Sequence, residues 1–404
     1  MLFTAKDSGE GNMNKYLVWV GIFLLGALKT VSGLTEPEIV TGAEQIHVYD
    51  SLLKGKSIGV VVNQASMIGQ ENVVDFLVRK GYQVEKIFSP EHGFRSHDEA
   101  GKIIIDTRDS VTGLPVISLY SSKKKPSPED VKGIDLMIFD LQDVGVRFYT
   151  YISTLSYVME SCAENEIPLI LFDRPNPNGF YIDGPVLDKK FSSFIGMHPV
   201  PVVYGMTIGE YALMVNGEGW LKEAVHCSLT VIPLKRYTHQ TRIRSLPRPS
   251  PNLTSMNAIL LYPSICLFEG TIISVGRGTS FPFEVFGHPE LLSGSFSFIP
   301  RSIPGMSVHP PYENRICYGI NLQGLTEEDP EITGKITLSW LILTFQSMGG
   351  RQDFFTGYFD LLAGTDQLRK QIIRGMTENE IKKTWQDDLS KFRVIRQKYL
   401  LYTE

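Results

Sequence analysis

Between Ser57 and Pro233, short continuous apolar runs rich in β-branched residues alternate with longer stretches whose apolar positions recur every three or four residues. The first pattern marks strands buried on both faces and the second marks helices laid over them, so the alternation predicts an α/β fold with a parallel sheet. Strands are expected over residues 57–63, 83–89, 115–119, 136–141 and 168–173. Helices are expected over 72–80, 150–165 and 207–218. The last opens with Thr207-x-x-Glu210, a capping box in which each side chain satisfies an otherwise unbonded N–H of the first turn. Ser127-Pro128 starts a further short helix, with proline at its first position.

From Tyr237 to Pro251 the chain turns basic and rich in Pro and Ser, which predicts a boundary between a first domain, residues 34–247, and a smaller second one, 248–404. The second reads as α+β. Strands punctuated by Gly and Pro run to about Ser339, and helices follow, the clearest starting at Thr377-x-x-Glu380 and continuing towards Tyr399. Ahead of both domains, residues 16–28 (YLVWVGIFLLGAL) are too short to span a bilayer, which takes ~20 residues as a helix. With Lys15 before it and Val31-Ser32-Gly33 after it, this run reads as the core of a signal peptide, residues 1–33, whose true start is Met13. The expected product is exported, periplasmic or extracellular, with no membrane anchor after leader cleavage.

Composition narrows the partners. A chain of 404 residues, 43% hydrophobic and 21% charged, can bury a large core, which excludes a fibrous or disordered protein. The 39 basic and 44 acidic residues give a net charge of -5, so no nucleic-acid partner is expected. Four cysteines at wide spacing, with no Cys-x-x-Cys, argue against a zinc site and are expected as buried free thiols, with disulfides the alternative that export keeps open.

In a parallel sheet, ligands bind beyond the carboxyl ends of the strands, and here those ends are polar. Asn63 and Gln64 follow the first strand, and Glu91-His92-Gly93 the second. Gln142, Asp143 and Arg147 follow the fourth, and Asp173-Arg174-Pro175-Asn176-Pro177-Asn178-Gly179 the fifth. The first strand lacks the Gly-x-Gly-x-x-Gly of a dinucleotide site, and no Gly-x-Ser-x-Gly offers a nucleophilic serine, so no cofactor is expected. The histidines and carboxylates between Glu91 and Glu99 leave two readings open: a metal-dependent hydrolase using His92, His97 and Asp98, or a metal-free acid/base at Glu91.

Several long motifs carry a family resemblance. SPEHGFRS (89–96), FDLQDVGVRFYTYISTLSYVMESCAEN (139–165), DRPNPNG and DGPVLD (173–188), GMHPVPVVYGMTIGEYA (196–212), SPNLTS (250–255), LYPSICLFEGT and GRGTSFPFEVFG (261–287) and KYLLY (398–402) closely resemble the exo-β-N-acetylmuramidase (NamZ-like) glycoside hydrolases of bacterial cell walls. The first loop, NQASMIG, departs from the family's more usual Asn-His or Asn-Pro followed by Thr-Gly. The resemblance implies a Rossmann-like N-terminal domain, a smaller C-terminal domain, an active-site cleft between them, and release of N-acetylmuramic acid from the non-reducing end of peptidoglycan fragments.

By the same resemblance Glu91 is the catalytic glutamate, with no metal. His92, Asp143, Glu269 or the substrate's own acetamido oxygen are the options for the second group that glycoside hydrolysis usually needs. The lactyl carboxylate of muramic acid calls for a guanidinium, for which Arg174, Arg147 and Arg277 are candidates, Arg174 first because it directly follows a strand. Tyr149, Tyr151 and Tyr204 are expected to contact the sugar, and Asn63, Asn176, Asn178 and His198 complete the candidate binding set. A catalytically inactive peptidoglycan-binding protein on the same scaffold is the rival expectation. The oligomeric state is left open.

Overall fold

The computed structural model describes residues 38–91, 93–95 and 107–404, so the expected leader lies outside the described residues. The apolar runs form a seven-stranded sheet: β1 (Ser57–Val62), β2 (Gln83–Ser89), β3 (Thr107–Arg108), β4 (Pro115–Ser118), β5 (Leu136–Asp140), β6 (Leu169–Phe172) and β7 (Leu229–Ile232), in the spatial order β3-β4-β2-β1-β5-β6-β7. All pairs are parallel except β3 with β4. The six parallel strands, counted along the chain, stand in the order third, second, first, fourth, fifth, sixth. That is the Rossmann arrangement, whose switch point lies between the first and fourth, here β1 and β5.

Alternation along the strands feeds two cores. Ile58, Val60 and Val62 of β1 pack with Tyr49 and Leu53 of helix α1 (Ile46–Leu53) and with Val74 and Leu77 of α2 (Val73–Arg79). Val61 and Phe139 face the other way, onto Leu155 and Met159 of α4 (Tyr151–Glu164) and Tyr211 and Val215 of α5 (Ile208–Gly217). A short α3 (Pro128–Val131) precedes β5 and starts where the sequence predicts, at Ser127-Pro128; the capping box expected at Thr207 forms, and Ser127 forms one with Asp130 as well. The second core continues without a break into α6 (Met256–Ile265) and the later helices.

The later part of the chain adds a three-stranded antiparallel sheet of Val285–His288, Cys317–Asn321 and Phe296–Phe298. The helix expected from Thr377 towards Tyr399 is two, Glu378–Thr384 and Gln386–Arg396. They break at Trp385, whose ring is buried. The ending then returns to the first sheet: the Tyr402 hydroxyl donates to Asp173 Oδ2 at 2.5 Å, and the Leu401 amide to Glu210 at 2.8 Å. All four cysteines are buried and unpaired. No helix among the described residues is long and apolar enough to cross a membrane.

The carboxyl ends of the central strands are tied together by charge. Arg174, just past β6, grips Asp140 at the end of β5 with two bonds, Nε to Oδ1 at 2.6 Å and Nη2 to Oδ2 at 2.7 Å. Nη2 also reaches the Met67 carbonyl in the loop after β1, at 3.0 Å. Both side chains are buried, so either one alone would be an uncompensated charge in the core. Arg174→Met should therefore cost roughly 3–5 kcal/mol of stability, and adding Asp140→Leu should restore most of it. Urea unfolding of the two variants tests this; a single variant as stable as the wild type would contradict it.

Candidate active site

Two adjoining hollows lie at the carboxyl edge of the sheet, of about 590 Å³ and about 200 Å³. Glu91, Phe148, Thr150, Tyr262 and Arg277 line both. Tyr120, Lys124, Phe194, Glu269 and Tyr358 complete the larger; Tyr149, Tyr151, Ser250, Asn252 and Phe283 complete the smaller. A hollow of about 620 Å³ lies elsewhere, between the end of α5 and residues 398–401. No carboxylate lines it, so it lacks the acid/base chemistry gathered here.

Glu91 is half-buried, two residues beyond β2. The Thr150 hydroxyl, at the start of α4, donates to its Oε2 at 3.4 Å. Burial, and next the negative charge of Glu91 and the hydrogen bond to it, push the Tyr120 hydroxyl above its ordinary value, so Tyr120 stays a donor. Glu269, in the 3₁₀ turn that continues α6, accepts from Arg277 Nε at 2.5 Å. Burial alone would pull that guanidinium down, but the charge of Glu269, the hydrogen bond to it and the nearby Tyr262 and Cys266 together hold it above its ordinary value, and the group lies 5.1 Å from the Phe283 ring centre. Among the described residues, the cavity thus holds two carboxylates, one bound to its own cation and one flanked by hydroxyls.

Tyr149 and Tyr151 form the floor. Both hydroxyls donate to the Pro249 carbonyl, at 2.8 and 3.1 Å, and the rings meet edge to face with centroids 4.8 Å apart. The basic, Pro-rich segment that reads as a boundary in the sequence is therefore a wall of the cavity, held to the sheet domain by two tyrosines. The Asn63 amide donates to the Tyr151 hydroxyl at 2.7 Å, while its oxygen accepts from the Ala65 amide at 2.9 Å, so Asn63 positions the floor from beneath.

Of the residues expected in the site, the structure brings together Glu91, Tyr149, Tyr151, Glu269 and Arg277. It places the other described ones in the body of the protein, each for a visible reason. Arg174, first choice for the substrate carboxylate, is spent on Asp140. Arg147 is fully buried and donates to the carbonyls of Pro185, Val200 and Leu362 at 2.8 to 2.9 Å, and burial pulls it down to about 9. It clamps three segments together.

Asn176 bonds the Met206 carbonyl at 2.8 Å and the Asn178 amide at 2.8 Å, and Asn178 the Val144 carbonyl at 2.9 Å. Gly145, at φ 75°, leaves the space that Asn176 fills: a Cβ there would stand 2.1 Å from its Oδ1. His198 contacts Ser156 Oγ at 2.9 Å and stacks on Trp220; burial pushes it down to about 4, so it is neutral. Tyr204 donates to Asp143 beneath the floor. His92, His97 and Asp98 lie outside the described residues. Among the described residues no cluster of three or more His, Cys, Asp and Glu side chains is placed to hold a metal ion.

Sequence reading missed Tyr120, Lys124, Thr150, Asn252, Tyr262 and Tyr358. Tyr120 and Lys124 follow β4 and were open to the strand-end argument applied to its neighbours. The others come from a helix start and from the later part of the chain, where only the fold brings them near.

The comparisons with known proteins agree with this geometry. The family models described as "Exo-beta-N-acetylmuramidase NamZ, N-terminal" and "Exo-beta-N-acetylmuramidase NamZ, C-terminal" match residues 58–257 and 260–402. The chain belongs to the NamZ family. Within it, a relative named peptidoglycan β-N-acetylmuramidase NamZ, from Bacillus subtilis (strain 168), is 35% identical over 411 residues, covering 95% of this chain and 98% of the relative. Two crystal structures of DUF1343 family proteins from Bacteroides fragilis NCTC 9343 share the fold. One has TM-score 0.84 at 47% identity and the other 0.77 at 27%, each over 91% of this chain and all of the other. The Rossmann-like sheet is thus the architecture that these NamZ-family relatives share.

Asp143 holds the remaining carboxyl of this NamZ-family chain. Its Oδ2 accepts from the Gly145 amide at 2.8 Å and from Tyr204, whereas its Oδ1 is buried without a partner. Burial raises the carboxyl to about 6, against those hydrogen bonds, which favour its charge. Because the folded value lies above the unfolded one, the protonated group contributes stability below pH of about 4 that is lost as pH rises through about 6. Relative to Asp143→Asn, the wild type should lose up to about 3 kcal/mol between those limits. Thermal unfolding of both at several pH values measures the difference; a difference independent of pH would contradict the assignment.

Proposed function

We propose that this chain is an exo-acting β-N-acetylmuramidase that hydrolyses terminal non-reducing N-acetylmuramic acid from peptidoglycan fragments. The observation that carries the reading is Glu91: a half-buried carboxyl at a strand end, flanked by Thr150 and Tyr120 and facing an aromatic-walled cavity that also holds Glu269. Hydrolysis of a glycosidic bond needs a proton on the leaving oxygen, and Glu91 is the carboxyl among the described residues of the cavity that is not committed to a cation. In this mechanism Glu91 protonates the glycosidic oxygen. The fully buried Asp143 lines neither hollow, which leaves Glu269, His92, which lies outside the described residues, or the substrate's acetamido oxygen as the second group. The tyrosines and Phe283 offer apolar faces for the sugar, and the Thr150 and Tyr120 hydroxyls hold the Glu91 carboxyl in place.

The same family members and site favour an enzyme over an inactive binding protein, since the acid is present and exposed to the cavity. Export through the apolar run at residues 16–28 belongs to this reading, because peptidoglycan lies outside the cytoplasm; a mature N-terminus near Leu34 is its consequence.

Glu91→Gln should lose turnover of an unactivated disaccharide by roughly 10²–10⁴ while keeping the wild-type melting temperature. An activated leaving group needs little protonation and would hide the defect. Near-wild-type turnover of the unactivated substrate would remove Glu91 from the acid role.

A further inference from the structure

Muramic acid differs from glucosamine by its lactyl ether, which brings a carboxylate into a site that must supply a cation for it. The three arginines with the strongest claim in the sequence are all engaged, Arg147 by carbonyls, Arg174 by Asp140 and Arg277 by Glu269. Among the described residues of the cavity wall, the other cation is Lys124.

Lys124 is the middle of three consecutive lysines after β4, and its neighbours are neutralised. Lys123 Nζ lies 3.1 Å from Asp130 in the capping box of α3. Lys125 Nζ lies 2.6 Å from Glu164 and 3.1 Å from Glu160 on α4. These pairs peg the segment on both sides of Lys124, whose own ammonium sits 4.5 Å from the ring centre of Phe194. Phe194 is braced in turn by stacking on Tyr157 of α4, with centroids 6.1 Å apart and planes 13° from parallel. An aromatic face takes up at most part of an ammonium's donor set, so Lys124 keeps N–H groups that no described residue occupies.

Charge decides between Lys124 and Arg277. A substrate carboxylate bound to Arg277 would lie beside Glu269, and two like charges would share one cation. At Lys124 no described carboxylate sets up such a conflict. With Arg277 bound to Glu269, Lys124 is the cation among the described residues of the cavity wall that no carboxylate holds, which suits it to a single incoming carboxylate.

We infer that Lys124 receives the lactyl carboxylate and so sets the preference of this site for muramic acid over glucosamine. The inference rests on the muramidase reading for the identity of the sugar, and binding of the free sugars tests it without any bond being cleaved. N-acetylmuramic acid and N-acetylglucosamine are titrated into the wild-type protein, Lys124→Met and Lys124→Arg. The Met variant keeps an unbranched side chain over Phe194.

The wild type should prefer the acidic sugar, Lys124→Met should shrink that preference by roughly ten- to a hundredfold, the usual worth of a hydrogen bond to a charged group, and Lys124→Arg should restore most of it. A preference undiminished in Lys124→Met, a loss that Lys124→Arg does not mend, or a wild type with no preference would overturn the assignment. A wild type that prefers the acidic sugar through Lys124 yet hydrolyses no muramide would sustain it and remove the enzymatic reading alone.

Discussion

The buried pair of Asp140 and Arg174 organises the active edge of this protein. In a Rossmann sheet the strand order reverses between the first and fourth strands, and the gap that this opens is where a dinucleotide is held. Here the gap is bridged from within: Arg174 reaches from beyond β6 across the end of β5 to the loop after β1, and Ser66 in that loop donates to the Asp140 carbonyl. With the switch point closed by the chain's own side chains, ligand space moves sideways, to the ends of β2 and β4 and the start of α4. Glu91, Tyr120 and Thr150 stand there.

That displacement explains why the later part of the chain is needed. The ends of β2 and β4 form one wall, and the others come from the Pro-rich segment at Pro249, from α6 with its following turn at Glu269, and from Arg277 and Tyr358. The tyrosine pair on the Pro249 carbonyl and the C-terminal return of Tyr402 to Asp173 tie the later part of the chain to the first sheet. Burial, charge and hydroxyl neighbours then divide the carboxyls. Asp173, raised by burial to about 7, and Asp143 are deep inside, whereas among the described residues Glu91 alone faces the cavity without a cation.

Much of this was legible in the sequence. Strands buried on both faces write themselves as unbroken apolar runs, and the capping boxes at Ser127, Thr207 and Thr377 state where helices begin. The strand-end argument found Glu91, and the motif resemblance found Glu269 and Arg277. What stayed hidden were facts of pairing. A guanidinium beside a strand end looks the same whether it waits for a substrate or is held by Asp140, and only the register that sets β5 beside β6 distinguishes the two. The short edge strand Thr107–Arg108 is too brief to show a period, and Leu229–Ile232 mixes exposed and buried positions. Lys124 was masked by its neighbours, since three lysines in a row read as a solvated surface until two of them are seen to be neutralised.

The central claim is that this cavity cleaves the glycosidic bond of N-acetylmuramic acid. Incubating the purified protein with a chromogenic β-N-acetylmuramide and with the matching β-N-acetylglucosaminide, and comparing kcat/KM, tests it most directly. The account predicts release of chromophore from the muramide at a rate well above that from the glucosaminide; equal turnover of the two, or turnover of neither, would contradict it.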